Sequence, residues 1–347
     1  MASISHLMYY ALLIALFFGK LFPIIDIFII LFAITNIFSQ KNYAIKNKNL
    51  LFFTIFAIIS NLLYFNILGW LYLVRLLSLS SLLIFPPLIN QYQQKFLNII
   101  LFSIVIFDFI QYLYWPNLTI MASQNWDPHL YRLVGSYFDP TFTGLILLFI
   151  LLYIYFSKTK YKLLLMSFVY TALALTYSRS TLFSFFIVFT YISIIKKKSN
   201  IFFYTLIIIV TTLLILPRMP GEGTKLERTS SIFAKVENYK QGVNIFLQHP
   251  LVGIGYNNIP LLNYKNNLLS HSNSGFDSSL LTIAITSGVV GLILLLAALY
   301  FEFINANIFY QSLLLAVFIH SFFANSLFYP YSTVLLIILN AKSQKLH

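Results

Sequence analysis

The sequence encodes an all-α, polytopic transmembrane helical bundle of about 12 spans, on three grounds. Of its 347 residues, 59% are apolar and 9% charged, with a mean hydropathy of +0.84. Soluble domains carry about 25% charged residues, and no soluble core could absorb this much apolar surface. Several apolar runs, among them residues 50–68 and 279–301, reach the roughly 17 to 25 residues that a bilayer-crossing helix needs. Aromatic residues make up 18% of the chain, mostly Phe and Tyr, a load suited to interfacial belts and lipid-facing packing.

The elements follow in order. The first apolar run, residues 7–18, has no Lys or Arg before it and no small-residue cleavage pattern after it, so it reads as a span and not as a removable signal peptide. The absence of cysteine excludes disulfides, thiolate catalysis and Cys-ligated metal. The net charge of +13 is concentrated in short connections: Lys41, Lys46 and Lys48; Lys95; Lys158, Lys160 and Lys162; Lys196, Lys197 and Lys198; Lys342 and Lys345. Placed on the cytoplasmic side by the positive-inside rule, these anchors dictate spans near 6–20, 23–39, 50–68, 71–89, 96–114, 141–157, 163–177, 181–195, 201–216, 279–301, 307–323 and 328–340, with both termini inside. The basic excess is then a topology signal. Nucleic-acid binding is excluded, because no cluster carries the interleaved aromatics or glycines of a recognition module.

Two of those clusters, ending at Lys162 and starting at Lys196, are joined by an out-and-back hairpin whose outer tip is Tyr177 to Ser180. Arg179 thus faces outward. Its two helices, about 15 residues each, are short for a full crossing, which places the tip below the outer surface. Two segments are too polar to span, residues 115–139 and 217–276, and by the count of crossings both are external. The chain is read as one membrane domain, residues 1–347, with 217–276 inserted as a large external loop. Within that loop Ile232, Phe233, Val236, Tyr239, Val243, Phe246 and Leu247 recur at helical spacing until His249 and Pro250, the pattern of an amphipathic helix on the membrane or over a cavity.

Ionisable residues inside apolar runs are expensive unless paired or facing water. Here they are Asp26, Arg75, Asp108 and His320, and all four fall in the outer half of their spans. They point to one outward-opening polar cavity. For any one of them the alternative is a structural pair or a snorkelling side chain.

Several stretches, taken in order, resemble the O-antigen ligase and polymerase superfamily: Gly135 to Gly144 (GSYFDPTFTG), Leu175 to Ser180 (LTYSRS), Asn244 to Asn257 (NIFLQHPLVGIGYN), His271 with Ser272, Asp277 with two serines, and Gly288 to Gly291 (GVVG). The resemblance covers about residues 132–291. It implies a multi-span glycosyltransferase on the outer side of the bacterial cytoplasmic membrane, using polyprenyl-diphosphate-linked oligosaccharides as donor and acceptor, with no cofactor or metal. Membrane lipids and a chain-length-regulating protein are the further partners it implies.

Such chemistry needs cations for the diphosphate and a base for the acceptor hydroxyl. Arginine suits the first, because its planar fork bonds phosphate oxygens bidentately and keeps its charge at low dielectric. Carried over from the superfamily, Arg179 matches the Ser-Arg motif and is assigned to the diphosphate; Arg228 matches the external-loop arginine, and Arg132 is a third candidate. The competing reading for each is a helix-end arginine against lipid headgroups. Gly253 and Gly255 read as a tight turn and not a phosphate cradle, since no P-loop Lys and Ser/Thr follow. For the base, carboxylate or imidazole serves if held within hydrogen-bond reach. Ligases of the superfamily carry a His-Asn or similar pair about a dozen residues before the Gly-x-x-Gly. Counting back from Gly288 reaches Asp277, while His271 lies six residues further upstream, so the two are both candidate catalytic residues. This departure makes a repeat-unit polymerase the expected activity. A ligase is the alternative, and a transporter or flippase of lipid-linked sugars is the competitor from another class.

Overall fold

The computed structural model describes residues 2–40, 45, 47–120, 129–220, 222–227, 229–259 and 275–343. Among these it is all-helical, with thirteen α-helices and no strand. The chain runs α1 (Ala2–Phe18), α2 (Ile25–Ser39), α3 (Lys48–Leu63), α4 (Ile67–Ile84), α5 (Gln91–Tyr114), α6 (Pro140–Phe156), α7 (Lys162–Leu175), α8 (Arg179–Ile195), α9 (Ser199–Ile215), α10 (Ser230–Gln248), α11 (Ser279–Ile304), α12 (Ile308–His320) and α13 (Pro330–Ser343). Twelve of these coincide with the expected spans and α10 with the expected amphipathic helix. The stretches Ile4–Leu21, Gln91–Tyr114 and Ser279–Ile304 are long and apolar enough to cross a membrane, and the other nine apolar helices are shorter. This is the build of a polytopic helical membrane protein.

Large apolar side chains exposed around the outer helices say the same. In α9 the buried side chain is Thr205, while Leu214 and Ile215 are 79% and 77% exposed, a surface suited to lipid contact. At the other extreme α6 is buried along most of its length, from Pro140 to Tyr153, and forms the axis of the bundle. Around it packs one apolar core drawn from α1, α2, α4, α5, α7, α8, α12 and α13. A second core joins α3 and α4 to α11.

Alternation of the helices gives the bundle two unlike ends. The basic end carries Lys158 to Lys162 and Lys196 to Lys198; the ammonium groups of Lys162 and Lys196 sit 4.8 and 4.6 Å from the centroid of the Tyr155 ring. The anchors Lys41, Lys46 and Lys345 lie outside the described residues. The opposite end, here the loop end, gathers the described residues 19–24, 64–66, 115–120, 129–139, 176–178, 216–220, 222–227, 229–259, 275–278 and 321–329. The first polar segment is not a simple surface loop. Residues 132–137 are buried, with the Ser136 hydroxyl donating to Phe17 O (2.8 Å) and the Tyr137 hydroxyl to Leu16 O (2.9 Å). Irregular backbone at this depth is tolerated because protein groups satisfy it. Trp126 and Asp127 of that segment lie outside the described residues.

Candidate functional site

The hairpin tip is built by local capping. Helix α7 ends at Leu175, Tyr177 takes a left-handed φ of 50°, and Ser178 caps α8 by accepting from Thr181 N. Tyr177 then anchors the turn through its hydroxyl to Pro217 O (2.7 Å). Arg179 is therefore the first residue of α8, where the helix dipole adds positive potential to its guanidinium. It is half-buried and donates from Nη1 to Leu226 O at 3.2 Å.

Arg132 lies beneath this tip. It is 7% exposed and donates from Nε to Thr176 O (3.0 Å) and from Nη2 to Tyr177 O (3.5 Å), while Leu133 N bonds Leu175 O (3.0 Å). A cation over the last carbonyls of α7 is favourably placed against the helix dipole. The structure thus makes Arg132 a clamp on the backbone that presents Arg179, a role that neither headgroup contact nor the Ser-Arg resemblance suggested.

His320, at the end of α12, reaches the same turn. Its Nε2 lies 3.2 Å from Ser180 Oγ and 3.3 Å from Thr181 Oγ1, and its Nδ1 lies 2.6 Å from Ser326 Oγ. Asp139 and Lys235 are within Coulombic range of it. Asp139 caps α6, accepting from Thr141 N (2.7 Å) and Phe142 N (3.3 Å) with one carboxylate oxygen. This residue was not singled out from sequence, although an Asp before Pro at a helix start is a capping signal that could have marked it.

On the other flank, α10 is tied to the bundle beside Asp277. Lys235 Nζ stands 3.5 Å from Asp277 Oδ2 and donates to Phe323 O (2.6 Å); Asp277 N bonds Asn238 Oδ1 (2.9 Å); the Tyr239 hydroxyl donates to Phe322 O. Burial pushes the Tyr239 phenol above its ordinary range, which keeps it a donor. Since Phe322 and Phe323 directly follow His320 and Ser321, the α10 contacts and the tip contacts meet at one short turn. Ser278 caps α11, so Asp277 stands one residue ahead of a fixed helix start.

The two glycine motifs pack against each other. Helix α11 is kinked at Gly288, whose φ of 63° and ψ of −169° are non-helical, and the turn after α10 fits the kink: Val289 N bonds Pro250 O (2.8 Å) and Ile254 N bonds Ile285 O (3.1 Å). A Cβ at Gly288 would lie 2.2 Å from Leu251 O, and one at Gly253 2.4 Å from the Thr286 carbonyl carbon. Both glycines allow backbones to touch, in keeping with a turn and not a phosphate cradle.

The four ionisable residues expected around one cavity separate. A cavity of about 580 Å³ lies between the two cores, and Asp26 and Arg75 line it as a bidentate ion pair, with Nε to Oδ1 at 2.6 Å. Asp108 and His320 do not line it. Asp108 faces inward from α5 beneath Gly135, is fully buried and has no hydrogen-bond partner among the described residues; His320 faces the α8 turn. Hydropathy placed all four at the loop end but could not give the rotation of each helix. Arg228 and His271 lie outside the described residues.

Taken together, Arg179, Asp139, His320, Lys235 and Asp277 occupy adjoining turns at the loop end, an arrangement able to hold an anion at α8 beside a carboxylate. Residues 131–296 match a family model described as O-antigen ligase, and that stretch runs from the residue before Arg132 through the Gly288 kink. A comparison with curated proteins finds no match for the chain.

Proposed function

We propose that this chain, whose residues 131–296 match the O-antigen ligase family model, is a member of the O-antigen ligase and polymerase superfamily, and that it polymerises polyprenyl-diphosphate-linked oligosaccharide repeat units on the outer face of the bacterial cytoplasmic membrane. In the reaction an acceptor hydroxyl oxygen bonds the anomeric carbon of the donor chain. The bond from that carbon to the diphosphate oxygen breaks, and its electron pair leaves with the polyprenyl diphosphate. The hydroxyl proton passes to the base.

The observation that supports this reading most is Arg179 at the start of α8, at a turn held by Ser178, Tyr177, Arg132 and His320. A rigid guanidinium fork with helix N–H groups beside it suits a diphosphate, whose charge grows as it leaves. Arg228, on the loop that already reaches Arg179 through Leu226, is proposed as the second cation. Arg132 is reassigned to positioning, because its guanidinium is spent on the tip carbonyls. Asp277 is the proposed base, fixed ahead of α11, with His271 as the alternative. Its departure from the His-Asn pattern of ligases favours polymerase over ligase.

The test is to incubate purified protein with lipid-linked repeat units and resolve the products by size. A ladder of repeats is expected. A single transfer to a different acceptor would make the protein a ligase, and movement of substrate across vesicles with no new glycosidic bond would make it a transporter.

A further inference from the structure

We propose that the cavity between the two cores is a second lipid site, which seats the apolar chain of a polyprenyl phosphate or diphosphate with its head at the loop end. The inference rests on the reading above, since joining two lipid-linked glycans requires two lipid chains to be held at once.

The cavity has the polarity of such a ligand. Its middle is walled by apolar side chains including Leu76, Leu79, Leu83, Leu295, Leu299 and Val317. From Arg75 to Leu83 along α4 this stretch is about 12 Å at helical rise. At the loop end it is lined instead by Lys20, Asp26, Arg75, Asn325 and Tyr329. Asp26 engages Nε and one terminal nitrogen of Arg75, which leaves the guanidinium further donors. The Tyr329 hydroxyl and the Asn325 side-chain oxygen are buried without a hydrogen-bond partner among the described residues. Unpaired buried polar atoms beside two cations are groups that a phosphate and its attached sugar would satisfy. The Tyr310 hydroxyl, unpartnered at the opposite end, has room for a water beside it.

Size and position fit as well. At roughly 30 Å³ per small group, the cavity takes about 20 carbon-sized groups, enough for part of one long chain. Phe142 and Tyr329, stacked with centroids 3.8 Å apart, both line it. The residue before Phe142, Thr141, accepts through its carbonyl from Thr181 of the α8 turn (3.4 Å). The cavity and the Arg179 turn therefore share a wall, as two substrates that exchange a sugar require.

The experiment uses the full chain in phosphatidylcholine nanodiscs with a polyprenyl phosphate bearing a photoreactive group in its chain. Peptides of α4 and α11 that line the cavity should be labelled. Excess unlabelled polyprenyl phosphate should suppress the label about ten-fold, and an equal excess of phosphatidic acid should not. Leu299→Trp, which fills the cavity from one half-buried wall position, should cut labelling about ten-fold in protein that still elutes as a monodisperse peak. Label confined to the lipid-facing side of α9, equal competition by phosphatidic acid, or unchanged labelling of folded Leu299→Trp would overturn the proposal. The competition arm needs no variant. Cavity labelling in protein that forms no glycosidic bond would support the site while refuting the polymerase reading; a repeat ladder with no cavity label would do the reverse.

Discussion

At Arg179 two sources of positive potential coincide, a guanidinium and the start of a helix, and the residue scale tests whether both address a diphosphate. Arg179→Lys keeps the charge but loses the fork. It should fold normally and lose about 30- to 1000-fold in rate, the equivalent of roughly 2 to 4 kcal/mol of transition-state stabilisation. Polymer yield at matched membrane levels measures this, and near-normal yield would leave Arg179 a headgroup anchor. The base is tested in the same way. Asp277→Asn should abolish polymerisation with donor binding intact, while His271→Ala should reduce it in part, because a displacement of about 1 Å can cost roughly 100-fold and Asp277 is the one held against a helix start. A dead His271→Ala beside an active Asp277→Asn would transfer the role to the histidine. The motif around Arg179 was legible because two lysine clusters fix the hairpin between them. The separation of Asp108 and His320 from the cavity was not, because hydropathy gives the depth of a side chain and not the neighbour it faces.

Elements carry the next two predictions. The Gly288 kink lets α11 accept the turn after α10, and a side chain there meets both a backbone conformation essentially confined to glycine, at a cost of roughly 1–3 kcal/mol, and the Leu251 carbonyl. Gly288→Ala should therefore lower the thermal midpoint of the purified protein by several degrees, and an unchanged midpoint would mean that the kink is not needed. The sequence showed both glycine motifs but not their contact, since pairing between segments some 35 residues apart in the chain has no periodic signature. Arg132 separates positioning from binding. Because its guanidinium satisfies Thr176 and Tyr177 carbonyls in a buried turn, Arg132→Met should cost about 1–3 kcal/mol of stability along with activity, whereas Arg179→Met should lose activity with its midpoint unchanged. A stable Arg132→Met with impaired donor binding would return Arg132 to the diphosphate. That residues 132–137 of the first polar segment are buried was not legible in sequence, since their polar character is spent on bonds to α1 and the end of α7 and not on water.

For the whole molecule, composition and lysine placement were enough to draw twelve helices and two unlike ends, because the bilayer imposes length and apolarity on every span. What they did not reveal is the cavity between the cores, which is a property of how helices lean together. The account depends on the loop end facing outward, with Arg179, Asp277 and α10 on that side and the basic connections inside. The cysteine-free chain allows single probes. Ser178 is only 3% exposed, so Lys240, exposed on α10, is the better outer position, with Lys197, also exposed, for the basic end. In intact cells a membrane-impermeant thiol reagent should label Lys240→Cys and leave Lys197→Cys untouched until the membrane is opened; labelling of Lys197→Cys with Lys240→Cys protected would contradict the orientation and the proposed outward reaction with it.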